Sequence, residues 1–142
     1  MQIEGIFSNT INLLGKNIDL RAKNQNLIAS NIANAETPNY TPKSLAFDAE
    51  LQSALKNSSR GLRPDAAPHH RHIPLRGGGS SLNSVTGKIV ETPAKTPGKD
   101  GNSVELENEM VKLSENQIMF NASVQLLTKK FEGLRSAIRE GK

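Results

Sequence analysis

The chain has no cysteine and no tryptophan, and only one tyrosine and four phenylalanines in 142 residues. Without cysteine, disulfides and thiolate metal sites are excluded, and the redox compartment stays open. With 35% hydrophobic and 4% aromatic residues, the material for a large compact core is short. The apolar residues that exist gather toward the two ends. No run approaches the roughly 20 consecutive apolar residues that a membrane-spanning helix needs. Met1-Gln2-Ile3-Glu4 has no basic n-region and no apolar h-region follows, so no cleaved secretory leader is expected. If the protein works outside the cytoplasm, it is expected to leave by a route that uses no such leader.

The groups that carry chemistry are equally sparse. His69-His70-Arg71-His72 is the one metal-like cluster. It lies in a Pro/Gly-rich loop without the helical spacing that aims two imidazoles at one ion, so it reads as solvated loop. Gly77-Gly78-Gly79-Ser80 lacks the Lys-Ser/Thr that completes a phosphate cradle and has no strand before it. No histidine sits in an expected helix to act as base for a serine. An active site also needs a concave, water-excluding pocket, and nothing here builds one. The expectation is no enzyme: no catalytic residue, no metal and no cofactor.

What the chain does have is a long apolar stripe near its end: Leu106, Met110, Leu113, Gln117, Phe120, Val124, Leu127, Phe131, Leu134 and Ile138. The gaps alternate four and three, the 3.5-residue repeat of a coiled-coil seam, and only Gln117 is polar. A helix from Ser103 to Arg139 would be roughly 55 Å long at about 1.5 Å per residue. No globular body of that length is available in so short a chain, so the stripe asks for another long helix, its own or a neighbour's. Asn102 with Glu105 three residues on has the pattern of a capping box for this helix. Glu105, Glu107 and Glu109 near its start and Lys129, Lys130, Arg135 and Arg139 near its end suit the helix dipole.

Residues 3–35 read as a second long helix. Phe7, Ile11, Leu14, Ile18, Ala22, Ala29 and Ile32 form one face, widened by Ile6, Leu13, Leu20 and Leu27 at sevenfold spacing, and Phe7, Ile11, Leu14, Ile18, Ile28 and Ile32 are its expected seam residues. Asn9, Asn12, Asn17, Asn24, Asn26 and Asn31 interrupt it, either as a solvated face or as interhelix hydrogen bonds that set register in a bundle. With Gly5 and Gly15 inside, each costing about 1 kcal/mol relative to alanine, this helix needs packing to be stable.

Pro38 stops it, since a proline pushes the residue before it out of the helical region. Pro38-Asn39 suits the central pair of a tight turn, because asparagine tolerates positive φ. Thr41-Pro42 reads as cap and first turn of a short helix that continues through Phe47, Leu51 and Leu55. The expected divisions are therefore residues 1–56, with helix, turn and short helix; 57–101, a flexible basic loop; and 102–142, the C-terminal helix. Residues 57–101 hold seven of the eleven glycines, five of the seven prolines, and seven basic against three acidic side chains. That balance matches the whole net charge of +4. Val85 to Val90 offers a short strand or hairpin. The basic loop leaves open a nucleic-acid-binding adaptor dimerised by its helices. Against this, residues 57–101 contain no aromatic side chain to stack on bases, and neither helix is a basic stripe.

At the first turn the residues become recognisable. Ser30-Asn31-Ile32-Ala33-Asn34-Ala35-Glu36-Thr37-Pro38-Asn39-Tyr40 resembles the S-x-N-I-A-N-x-x-T-P-G-Y signature of the bacterial flagellar axial family of rod and hook proteins. Asn39 stands where that family usually has glycine. Phe47 to Leu51, Arg71-His72-Ile73, Asn102 to Met110, and Leu126 to Phe131 resemble the FlgB-type, proximal-rod branch. A FlgC-type rod protein is the alternative, although Ile118-Met119-Phe120-Asn121-Ala122 replaces the S-Y-x-A-N element usual there. The resemblance implies a structural subunit of the rod in the flagellar basal body, exported by the flagellum's own type III apparatus. It implies as partners other copies, FlgC-type and distal rod subunits, the rod-base adaptor at the MS ring and the export apparatus, with no nucleic acid and no membrane span. It implies that Asn31, Asn34, Thr37, Pro38, Asn39 and Tyr40 form the turn motif. The fold expected is mainly α: long N- and C-terminal helices paired as an axial coiled coil, with a loop between them.

Overall fold

The computed structural model describes residues 4–59 and 82–140. His69, His70, His72, Arg71–Ile73 and the Gly77–Gly79 run lie outside the described residues.

Helix α1, Glu4–Ala33, is 30 residues long, and α3, Leu106–Glu140, is 35. Between them, among the described residues, come strand β1 (Lys43–Ala46), helix α2 (Asp48–Ser59), a 3-10 turn (Leu82–Ser84) and strand β2 (Lys88–Glu91). The fold is mainly helical, as the two periodic stretches predict, with one small two-stranded sheet. β1 and β2 run antiparallel, Lys43 opposite Glu91 and Ala46 opposite Lys88.

Two local expectations are corrected. Pro42 does not open a helix: residues 43–46 go into β1 instead, and the short helix starts at Asp48, with Leu51 N–H bonded to the Phe47 carbonyl. The strand wins because β2 supplies a partner edge, with Thr92 N–H donating to the Pro42 carbonyl at 2.9 Å. The stretch from Val85 to Val90 contributes β2, which pairs with β1 rather than folding on itself. Nor does Asn102 cap the last helix, which begins four residues later. Its side chain is taken up elsewhere.

A small core lies beside the middle of α1. Leu20, Leu45, Phe47, Ala54 and Val85 are buried together, with Leu27, Leu51 and Leu82 packed against them. Leu20 and Leu27 come from one sevenfold column of α1, so that column faces β1 and α2. Gly87 at the start of β2 has φ +71°, and a Cβ there would come within 2.9 Å of the Leu45 side chain. Arg21 on α1 lays its guanidinium 5.6 Å from the centre of the Phe47 ring, closing one side of this core.

Candidate assembly site

α1 and α3 pair antiparallel along a ladder of polar contacts. Asn31 Nδ2 donates to Glu109 Oε2 at 2.7 Å, Asn24 Nδ2 to Asn116 Oδ1 at 3.4 Å, and Asn17 Nδ2 to Ser123 Oγ at 2.8 Å. Each step is seven residues on both helices, in opposite directions, so the ladder fixes one register. Asn116 adds bonds to the Arg21 carbonyl at 3.0 Å and Gln25 Oε1 at 2.7 Å. Glu109, Asn116 and Ser123 are all buried. The asparagines of α1 therefore divide: Asn17, Asn24 and Asn31 bond across the helix pair, and Asn26 faces solvent. Asn9 lies where side chains are outside the described residues.

This places the predicted seam residues on two different sides. Leu113, Phe120, Leu127 and Leu134 form one half-buried column next to the polar ladder. On α1, Ile28 is buried and Ile11, Leu14, Ile18 and Ile32 are half-buried. Phe7 falls within α1, but its side chain is outside the described residues. The other column of the stripe points outward: Met110, Val124, Phe131 and Ile138 are all exposed, Ile138 by 73%, as is Leu106 at the head of the first column. The chain thus turns a partly polar column of α3 toward α1 and leaves a more apolar column open. Counting apolar spacing selects both columns of the stripe and passes over the adjoining polar one, Glu109, Asn116 and Ser123, that meets α1.

The end of α1 and the start of α3 are tied by the turn motif. The Asn31 side chain, 1% exposed, donates to the Lys43 carbonyl at 2.8 Å and to Glu109. Its Oδ1 accepts from Lys43 N–H at 2.9 Å and the Tyr40 hydroxyl at 3.2 Å. Asn34 Nδ2 donates back to the Ser30 carbonyl at 2.7 Å, and its Oδ1 accepts the Thr37 hydroxyl at 3.2 Å. Thr37-Pro38-Asn39-Tyr40 closes as a tight turn, Tyr40 N–H to Thr37 carbonyl at 3.3 Å, with Asn39 at φ +58°. That is the backbone for which the pattern usually supplies glycine, and asparagine reaches it at modest cost.

Sequence reasoning missed the other half of this clasp. Asn102 Nδ2 lies 3.0, 2.9 and 2.7 Å from the carbonyls of Asn34, Ala35 and Thr37, in the turn just past the end of α1. Asn39 N–H donates to the Asp100 carbonyl at 3.1 Å, and Ser103 N–H to the Tyr40 carbonyl at 3.1 Å. Gly101, at φ +77°, sits against the Asn39 side chain, where a Cβ would collide with it. The capping-box pattern concealed this role, since Asn102 looks local when read along the chain.

Among the described residues there is no group of three or more His, Asp or Glu side chains placed to hold a metal, and no helix long and apolar enough to cross a membrane. The concavities are open grooves. One runs between α1, β1 and α3 over Arg21, Ile28, Leu45, Ile118 and Met119.

Residues 19–41, the second half of α1 through the turn, match the family described as Flagella basal body rod protein. Over 120 residues the chain is 36% identical to the flagellar basal body rod protein FlgB of Cereibacter sphaeroides, covering 84% of this chain and 86% of that one. It is 31% identical to FlgB of Bacillus subtilis over 137 residues, covering 96% of this chain and 98% of that one. It is 26% identical to FlgB of Escherichia coli over 126 residues, covering 87% and 88% respectively. A clasp built on the matched segment, and relatives 31–36% identical over 84–96% of its length, place this chain in the family of FlgB flagellar basal body rod proteins.

Proposed function

We propose that the chain is a structural subunit of the proximal rod, exported through the flagellar type III apparatus and polymerised with further copies and with FlgC-type, distal-rod and rod-base subunits. The observation that carries this reading is the outward apolar column of α3. Met110, Val124, Phe131 and Ile138 are 38–73% exposed on a helix whose inner column is already paired with α1. A helix with apolar residues on several sides is one that other elements surround. The turn motif and Asn102 serve this role by fixing how the two helices leave the small core. Export fits the same design. A chain whose described residues are held by polar ladder contacts and six buried hydrophobic side chains has little to unfold before it is threaded through a channel.

The reading is tested by complementation in a strain lacking its own copy. Phe131→Asp places a charge on the outward column without touching the ladder, so the protein should be made and keep its helicity while swimming is lost. Normal swimming with this variant would remove the outward column from the function.

A further inference from the structure

Among the described residues no side chain of α3 belongs to the buried core. α3 is held to the rest of the chain by the ladder, by the packing beside it and by the clasp. Within one heptad the ladder fixes how the helices mesh. Sliding α3 by three residues would set Asn24 against Leu113 and Asn17 against Phe120, and sliding it by four would set Asn17 against Met119. Either slip leaves amides without partners. A slip of seven keeps every rung polar, because both columns repeat: Asn24 then meets Glu109, Asn17 meets Asn116, and Thr10 meets Ser123. The α3 column also continues upstream at the same spacing. Asn102 lies seven residues before Glu109, so a helix lengthened to Ser103 would bring it level with Asn31 after the slip. Leu106, exposed in this structure, would then take the half-buried place of Leu113.

The start of α3 is prepared for that lengthening. Asn102 Oδ1 already accepts Val104 N–H at 2.7 Å, the bond an N-cap makes to the second residue of a helix. Glu105 stands at the third position, from which a carboxylate completes a capping box by reaching the cap's own N–H; here that N–H donates to Asp100 Oδ1 at 3.2 Å. The clasp keeps this turn unwound. It holds Asn102 Nδ2 on the carbonyls past α1, Ser103 N–H on the Tyr40 carbonyl, and the Ser103 carbonyl on Ala94 N–H at 3.3 Å. Residues 95–101 double back, with Gly98 N–H on the Asn102 carbonyl at 2.7 Å. Seven residues span up to about 25 Å when extended, so this link has slack for a slip of about 10 Å.

We propose that Asn102 is a two-position latch that selects between two registers of the α1–α3 pair, one heptad apart. Latched, as in this structure, its amide nitrogen holds the turn and α3 begins at Leu106. Released, Asn102 caps a helix that begins at Ser103, and α3 slides one heptad along α1, carrying its C-terminal end about 10 Å further. The chain thus has two lengths built on the same ladder chemistry. The latch is a property of the single chain and stands apart from the rod reading.

The absence of cysteine makes the register measurable by electron spin resonance. Asn26→Cys on α1 and Glu132→Cys on α3 put two spin labels at exposed positions of the full chain. In the latched register Asn26 lies level with Ser114, so the labels stand about 27 Å apart along the axis; after the slip they stand about 38 Å apart. Diluted with unlabelled chain, the doubly labelled parent should give the shorter distance. Asn102→Asp loses the amide donor but keeps a capping oxygen, so it should add a population about 10 Å longer with helicity retained. Adding Glu105→Ala should shrink that population at least about twofold, because the box is then incomplete. A single short distance in a helical Asn102→Asp protein would overturn the proposal, as would a long population that Glu105→Ala leaves unchanged. If Asn102→Asp loses its helical circular dichroism signal, Asn102→Ser replaces it under the same criteria. Loss of helicity in both variants would also overturn the proposal, since Asn102 would then hold the fold and not choose a register.

Discussion

Asn31 uses its whole hydrogen-bonding capacity: two amide protons go to Lys43 and Glu109, and its oxygen takes Lys43 N–H and the Tyr40 hydroxyl. Removing such a group leaves several buried partners unpaired at once, which costs more than the bonds themselves contribute. Asn31→Ala is expected to cost about 2–4 kcal/mol, measured by urea unfolding followed by circular dichroism. Asn102→Asp is a sharper probe because the shape is kept. The donor facing the carbonyls of Asn34, Ala35 and Thr37 becomes an acceptor, so a loss of about 2–4 kcal/mol is expected. A change under about 0.5 kcal/mol would mean that Asn102 does not hold the end of α1. At this scale the turn was readable: Pro38-Asn39 as a central pair and positive φ at Asn39 follow from residue chemistry alone. Asn102 was not readable, because its partners lie 65 to 68 residues away in sequence and only the folded chain brings them together.

At the scale of elements, the two long helices were legible from periodicity, whereas their rotation about one another was not. The 3.5-residue stripe of α3 contains the Leu113–Phe120–Leu127–Leu134 column and, on one side, the Met110–Gln117–Val124–Phe131–Ile138 column. The polar column on its other side, Glu109, Asn116 and Ser123, is the one that meets α1. Sevenfold spacing of Asn17, Asn24 and Asn31 was visible in the sequence, but spacing alone does not reveal a partner. β1 was missed because Lys43-Ser44-Leu45-Ala46 is short and has meaning only beside β2. The ladder trades strength for a single register, as polar positions in coiled-coil seams do. Replacing one rung with apolar side chains should reverse that trade. The rung formed by Asn17 and Ser123 is suitable, since Ser123 otherwise bonds only within its own helix, to the Met119 carbonyl. The double variant Asn17→Leu/Ser123→Leu should gain about 1–2 kcal/mol in thermal unfolding, while losing fidelity of register. Unchanged or lower stability would mean that the rung adds to stability, contrary to this account.

At the scale of the whole molecule, the helix pair extends beyond the small core. α1 meets β1 and the 3-10 turn, and among the described residues its core side chains, Leu20 and Leu27, lie on the clasp side of the Asn17–Ser123 rung. Stability should therefore fall along the molecule, highest around the clasp and core, lowest toward Phe131–Glu140. Amide hydrogen exchange reads this gradient directly, because segments with few buried apolar contacts open at low free-energy cost. In dilute protein, the amides of Leu20 to Asn31 and Glu109 to Asn116 should exchange slowest and those of Phe131 to Glu140 fastest. On assembly the difference should narrow, with the distal amides gaining at least about a hundredfold protection, since neighbouring copies then supply the burial that one chain lacks. Equal protection along α3 in the dilute monomer would show that the helix pair is complete by itself, and coupling between ordering and packing would lose its basis.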